Sequence, residues 1–335
     1  MKFGKLGARS SLFSASLVAA SMMTAVVAIT PATVSAQAYP VQDIHVICAF
    51  PPGSGADVLV RFFAEKLRVA SGRNIIVENK SGAGGNIAQE YVGRSKPDGY
   101  TVFIHAGSGI AANVSLFKTP VFADVDKAFQ MAATINRQPF MLLVDNKSPY
   151  KTAAELTTAM KAKGEKATYG SAAPTGTVMG ELYKVVTGVK AVEVPYKSAP
   201  DGINDMISGA VDYGMHDPVF ALAQQREGRM RILGISTGKR LDATPDLPTM
   251  TEQGVPMDLT GWWGVIVPKG TPKPIVDQLH TWFVDIVGAP DTKAFLNKFG
   301  GDQLIESVDE AQARLVKDVD SWKKYIEVAK IQPQG

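Results

Sequence analysis

The chain has 335 residues, 45% hydrophobic and 20% charged, which suits about two globular domains of roughly 100–200 residues each. Its 35 Lys and Arg exceed its 32 Asp and Glu by three, and Lys2, Lys5 and Arg9 at the start account for that excess. A balance of zero over the remainder argues against nucleic acid or an anionic membrane surface as a partner, and 31 Gly with 20 Pro between apolar runs mean many turns and not disorder.

Lys2, Lys5 and Arg9 precede an apolar or small run over residues 12–30, and Ala36-Gln37-Ala38 supplies an Ala-x-Ala cleavage site before Tyr39. Residues 1–38 are therefore expected to be a signal peptide cleaved after Ala38, with the mature protein in the periplasm. Ser14, Ser16 and Ser21 within the run favour a cleaved signal over a membrane anchor. The single Cys48 cannot form an internal disulfide and reads as a buried small hydrophobe.

Residues 44–50 are nearly all apolar, as in a strand covered on both faces. Pro51-Pro52-Gly53-Ser54-Gly55-Ala56-Asp57 interrupts them, and Val58, Leu59, Phe62, Phe63 and Leu67 then recur at the spacing of one helical face. A strand, a Gly-rich loop and a helix start aim backbone N–H groups and the positive end of a helix dipole at one point, where an anion would sit. Residues 74–79 read as a second strand, and Lys80-Ser81-Gly82-Ala83-Gly84-Gly85-Asn86 as a second such loop before a helix near Ile87. Pro97-Asp98-Gly99-Tyr100 is a turn and residues 101–105 a third strand. Strands alternating with helices predict an α/β fold with mainly parallel sheets, whose ligands bind beyond the carboxyl ends of the strands.

The second half repeats the logic. A strand at 140–144 precedes a helix at 152–161 with a Thr152/Glu155 capping box, and a strand at 167–171 leads into a third loop, Ala172-Ala173-Pro174-Thr175-Gly176-Thr177. Further strands are expected at 191–196, 211–215, 230–236 and 262–268, with a turn-rich connection over 244–256 and helices from 274 onward.

None of the loops has the terminal Gly-Lys-Ser/Thr of a phosphate loop or the G-x-G-x-x-G dinucleotide fingerprint. His45, His105, His216 and His280 lack metal-ligand spacing, and Ser171 lacks the nucleophile elbow, so no metal, cofactor or catalytic group is expected. The loops at 51–57, 82–86 and 172–177 contain no Lys or Arg, so an anion would be held by neutral dipoles and hydroxyls. Hydrogen bonds to a charged group contribute about 1.5–3 kcal/mol each, so four or five support micromolar affinity, near about −8 kcal/mol.

An ordered series of motifs spans the region after residue 38: Phe50-Pro51-Pro52-Gly53-Ser54-Gly55-Ala56-Asp57 through Arg61, Val77-Glu78-Asn79-Lys80-Ser81-Gly82-Ala83-Gly84-Gly85-Asn86, Pro97-Asp98-Gly99-Tyr100-Thr101, Tyr169-Gly170-Ser171, Val194-Pro195-Tyr196-Lys197, Pro248-Thr249-Met250-Thr251-Glu252-Gln253-Gly254, and Trp263-Gly264 with Pro268-Lys269-Gly270-Thr271-Pro272. In this series the chain resembles the solute-binding receptors of tripartite tricarboxylate transporters, the Bug receptors. The resemblance implies a two-lobed, type II-like Venus-flytrap fold, with residues 39–139 and 261–335 as one lobe and 140–260 as the other, hinged near Gln138 and Thr260. It implies a carboxylate held between the lobes by Phe50, Gly53, Ser54 and Asp57 of the first loop, Gly84, Gly85 and Asn86 of the second, Ser108, then Ser171, Thr175, Gly176 and Thr177, with Asp217 facing from the second lobe. Ser54 departs from the family's second Gly, residues 171–181 run two residues short of the usual form and lack its His, and Ser198 replaces a Gly. The expected function is a monomeric periplasmic receptor delivering a small organic acid to membrane transporter subunits. The alternatives are a ligand-loaded sensor for a signalling protein and an exported hydrolase using Ser171.

Overall fold

The computed structural model describes residues 39–196 and 199–335; the expected signal peptide, its cleavage site, Lys197 and Ser198 lie outside them. In chain order the elements are β1 (Ile44–Cys48), α1 (Gly55–Ser71), β2 (Ile75–Asn79), α2 (Asn86–Gly93), β3 (Thr101–Ala106), α3 (Gly107–Leu116), α4 (Val125–Ala128), β4 (Phe129–Pro139), β5 (Met141–Asp145) and α5 (Ala153–Lys163). They continue with β6 (Thr168–Ser171), α6 (Pro174–Thr187), β7 (Val192–Pro195), α7 (Ala199–Ser208), β8 (Tyr213–His216), α8 (Pro218–Arg226), β9 (Met230–Ile235), β10 (Thr260–Pro268), α9 (Lys273–Gly288), α10 (Pro290–Lys298), β11 (Asp302–Gln303) and α11 (Val308–Val328).

Two sheets organise these elements, one in the order β11-β4-β10-β3-β1-β2 and the other β7-β6-β8-β5-β9. The α/β class is as expected, but the sheets are mixed and not mainly parallel. Among the paired strands of the described residues, parallel pairing is confined to β1 with β2 and β3, and to β6 with β7 and β8. The strands that carry the chain between the sheets, β4, β5, β9 and β10, pair antiparallel. An alternating βαβ pattern identifies the parallel units but does not report the direction of the long strands that pass between the sheets, three of which (β4, β5 and β10) lie inside them.

β1 sits inside its sheet with Ile44, Val46, Ile47 and Cys48 fully buried, which is why its sequence is apolar on both faces. The core face of α1 is Leu59, Val60, Phe63, Ala64 and Leu67; Val58, expected to face inward, is exposed. Ser54 caps the helix by accepting from the Asp57 N–H at 3.2 Å, and Gly72 ends it at φ 65°, its N–H bonded to the Arg68 carbonyl. The Thr152 cap of α5 forms, but only half of the expected box does: the Glu155 carboxylate accepts from the Lys151 amide at 2.6 Å and not from that of Thr152.

The core is continuous across the sheets. Ala111, Ala112 and Leu116 of α3 and Trp322 and Ile326 of α11 share a buried cluster with Leu142, Tyr169, Tyr183 and Tyr213 around the second sheet. Earlier on α11, Ala311 and Leu315 pack with Phe103 and Phe129 of the first sheet. Both crossovers between the sheets meet at Ser236, which is fully buried. Its Oγ accepts from the Phe140 N–H at 2.9 Å and donates to the Leu259 carbonyl at 2.5 Å. Its backbone N–H donates to the Phe140 carbonyl and its carbonyl accepts from the Leu259 N–H.

Candidate functional site

The first loop is held open by a lattice centred on Asp57, which is 2% exposed. Its Oδ2 accepts from the Gly53 N–H at 2.9 Å and from Arg61 Nε at 2.8 Å, and its Oδ1 accepts from Asn79 Nδ2 at 2.7 Å. Arg61 also donates to Asn79 Oδ1, and Asn79 to the Phe50 carbonyl. Desolvation pushes the Asp57 carboxyl up, and the bonds from Arg61, Asn79 and Gly53 outweigh it, holding the group below its ordinary range. The carboxylate therefore faces its own loop. Arg61 is paired with it, and Lys80, at the start of the second loop, is paired with Glu78 at 2.9 Å.

The second loop takes the left-handed region over four successive residues: Gly82 at φ 126°, Ala83 at 46°, Gly84 at 63° and Gly85 at 94°. Only a run of glycines with one small residue adopts this without heavy strain, and it turns the chain abruptly into α2. Asn113 on α3 secures the turn, donating to the Gly84 carbonyl and to Asn86 Oδ1 at 2.9 and 2.8 Å. The N-terminus of α3 follows β3 directly, and Gly107 lies so close against Trp262 that a Cβ there would overlap the indole. Ser108, in the first turn of α3, is buried.

The third loop differs from expectation. Ser171 Oγ donates to Glu193 Oε1 at 2.5 Å and Thr177 Oγ1 donates to the same oxygen at 2.7 Å, the two hydroxyls standing 3.1 Å apart. These side chains are thus turned onto a carboxylate of the protein. Gly176 is buried against the Met215 carbonyl, where an added Cβ would stand 3.1 Å away, and Thr175 is half-buried. Asp217 caps α8, its Oδ1 accepting from the Phe220 N–H at 3.1 Å. It is solvent-accessible, yet enough protein surrounds it for desolvation to raise its carboxyl above the ordinary value, as in a concave wall.

These pieces meet. A Cβ built on Gly55 would overlap Val219 Cγ1, so the start of α1 touches the start of α8 just after Asp217. One built on Gly84 would stand 2.9 Å from Pro174 Cγ, so the second loop touches the first turn of α6. His105, at the end of β3, lies 3.3 Å from the Cβ position of Gly85 and 3.5 Å from that of Gly109, and its ring packs on Phe50 at 5.4 Å. Five helix N-termini, those of α1, α2, α3, α6 and α8, are thereby linked in one ring drawn from both sheets. Their dipoles make it favourable to negative charge. A groove of about 680 Å³ lies outside this ring, between the end of α3 and the C-terminal segment, and none of the expected site residues lines it.

Four groups in this region were not among the expected site residues. His105 Nδ1, Gln89 Nε2, Asn113 Oδ1 and Trp263 Nε1 are buried without a hydrogen-bond partner. Such groups cost free energy unless a water or ligand satisfies them. Burial lowers His105 to about 3, so its ring is neutral at ordinary pH. The signal for His105 was its place at the carboxyl end of a strand; Glu193 was visible only as the lone charge in the apolar run 191–196.

Comparison with known proteins agrees with this architecture. Protein BugT of Bordetella pertussis is 28% identical over 298 residues, covering 87% of this chain and 90% of that protein. The structure of R. palustris Rpa4515 with adipate is 30% identical with a TM-score of 0.82, covering 88% of this chain and 100% of that one. MatC from Rhodopseudomonas palustris with bound malate is 25% identical with a TM-score of 0.77, covering 86% and 100%. Residues 59–331 match the tripartite tricarboxylate transporter family receptor, and the chain belongs to that family of receptors.

Proposed function

We propose that this protein is a periplasmic receptor that encloses a small organic acid between its two sheets and delivers it to a tripartite tricarboxylate-type membrane transporter. The observation that carries the reading is the ring itself: helix N-termini from both sheets in direct contact at Gly55 with Val219 and at Gly84 with Pro174, in a chain of this receptor family. The related structures with adipate and malate support a carboxylate as the ligand class. The Gly53 and Ser54 amides are committed to Asp57 Oδ2 and the Pro51 carbonyl, and those of Gly85 and Asn86 to Gly82 and Ala83. The amides at the start of α1 after Ser54 and that of Gly84, with Ser108 and the first turn of α6, would therefore meet its carboxylate, while Phe50 and His105 form the wall beside them. Asp57 acts by shaping the first loop and Asp217 by lining the opposite wall.

In this reading each sheet is the centre of one lobe, residues 39–139 and 261–335 against 140–260, with α3 and α11 bridging them and Ser236 tying the crossovers. Residues 1–38 are removed after Ala38, and the receptor works as a monomer. Use as a sensor is the alternative with the same ligand chemistry. The hydrolase reading finds no support, because the single Ser171 hydroxyl proton is donated to Glu193 and no imidazole bonds that hydroxyl among the described residues.

A thermal-shift screen of mono-, di- and tricarboxylates, aromatic acids and neutral amides tests the proposal. A ligand at 100 times its Kd adds about 2.7 kcal/mol of stability, a readable shift. If neutral amides alone raise the melting temperature, carboxylate recognition is wrong.

A further inference from the structure

The geometry points to Glu193 as a specificity-determining residue: it places the protein's own negative charge at the third loop, so that the ligand is a carboxylate at one end and a hydrogen-bond donor, hydroxyl or amine, at the other. The inference rests on the receptor reading above and says which organic acids the site takes. Three observations carry it.

The first is the direction of the hydroxyls. Ser171 and Thr177 are the buried side-chain donors at the third loop, and both donate to Glu193 Oε1, at 2.5 and 2.7 Å, while the half-buried Thr175 hydroxyl is not turned onto that carboxylate. A hydroxyl has one proton to give. With those protons facing Glu193, neither is available to a ligand carboxylate, whereas each oxygen still has lone pairs to accept from a donor.

The second is where the charge sits. Thr177 lies in the first turn of α6, a helix of 14 residues whose N-cap Ala173 supplies no side-chain cap. Glu193 on β7 accepts from the Thr177 hydroxyl at that end of the helix and so sets a carboxylate beside the terminus whose dipole favours an anion. No Lys or Arg forms an ion pair with Glu193 among the described residues. Oε2 has no hydrogen-bond partner among them either, and the residue is half-buried. The third loop therefore presents net negative character, where the first and second present only neutral dipoles.

The third is proximity. Pro174, at the start of α6, packs against Gly84 of the second loop. A ligand whose carboxylate is held by the first two loops thus extends toward the α6 end, where like charge opposes like charge and an amine or hydroxyl is welcome.

The test uses matched ligands: hexanoate, 6-hydroxyhexanoate, 6-aminohexanoate and adipate, with butanoate, 4-hydroxybutanoate, 4-aminobutanoate and succinate as a shorter set. Affinities are measured by titration calorimetry on the mature wild-type protein and on Glu193→Gln. Gln keeps an acceptor for Ser171 and Thr177 and removes the charge. The wild type should favour the hydroxy or amino acid over the matched dicarboxylate by at least about tenfold, about 1.4 kcal/mol. In Glu193→Gln the ratio of hydroxy acid to dicarboxylate affinity should fall by at least about tenfold. A wild type that binds adipate or succinate as tightly as the matched hydroxy and amino acids overturns the inference and leaves the receptor reading standing. So does a ratio unchanged in a folded Glu193→Gln. If no carboxylate in either set binds, the receptor reading for such acids fails and the inference falls with it. The wild-type ratio needs no variant, so misfolding of Glu193→Gln does not remove the test.

Discussion

Replacing Asp57 with Ala should destabilise the protein by about 2–4 kcal/mol and disorganise the first loop. The side chain is almost fully buried and accepts from three donors, the Gly53 amide, Arg61 and Asn79. Removing one member of a buried charged network costs about 3–5 kcal/mol, because its partners stay behind unpaired. Arg61 is half-exposed, at 49% for its side chain, so water re-solvates it, and the figure is lowered on that account. Asn79 retains its bond to the Phe50 carbonyl; the Gly53 N–H has no other partner among the described residues. At about 2 °C per kcal/mol for a chain of this size, the melting temperature should fall by roughly 4–8 °C. The loss depends on pH with a definite sign. The folded carboxyl lies below its ordinary value, so its stabilisation is complete above the unfolded value near about 3.9 and disappears as pH falls from there toward the folded one. Urea unfolding of wild type and variant at pH 7 and pH 3 checks both points. A difference under about 1 kcal/mol at pH 7, or one that is the same at pH 3, refutes the assignment of Asp57 as the charged centre of the loop.

Ser236→Ala leaves the Phe140 N–H and the Leu259 carbonyl without their side-chain partner, each at about 1–3 kcal/mol when buried. The expected result is a loss of about 2–4 kcal/mol in urea unfolding, with amide exchange rising first at the two crossovers and not in β1. Gly107→Ala pushes a methyl into the Trp262 indole and should cost about 1–3 kcal/mol, with a shift in tryptophan fluorescence reporting the displaced ring. His105 and His216 are held down by burial to about 3 and about 4. The unfolded chain, near about 6.5, binds their protons first, so stability should decrease as pH falls from about 6.5 toward those values. His105→Phe should make that decline shallower in unfolding midpoints measured between pH 7 and pH 5, and an unchanged slope counts against a neutral buried ring.

Some of the molecule was legible residue by residue. The apolar run at 44–48, the cap at Thr152 and the glycines at 82–85 are short-range features, because strand burial, helix capping and left-handed turns are encoded within a few residues; the cap at Ser54, which was read as a ligand group, was not recognised. The strand Phe129–Pro139 was missed, although at 11 residues it is the longest strand in the fold. Buried on both faces, it lacks the alternation that marks a half-exposed strand, and its partners β10 and β11 lie far along the chain. The inward face of α1 was partly misjudged: at 3.6 residues per turn Val58 lies opposite Phe63 and Leu67, on the exposed side it shares with Glu65 and Val69.

The candidate site divides in the same way. Its loops were found because a turn between strand and helix must carry glycine and proline, and the direction in which such loops aim their amides follows from helix geometry. The sequence alone therefore determined the α/β class, the family motifs and the positions of the Gly-rich loops between strand and helix. Tertiary structure decided which side chains remain available there. Asp57 turns to Arg61 and Asn79, Ser171 and Thr177 turn to Glu193, and Gly55 meets Val219 from the other sheet. A hydroxyl or carboxylate bonds whatever partner packing brings within 3 Å or so, and for these groups the deciding partners come from other elements of the fold, beyond the reach of any local pattern.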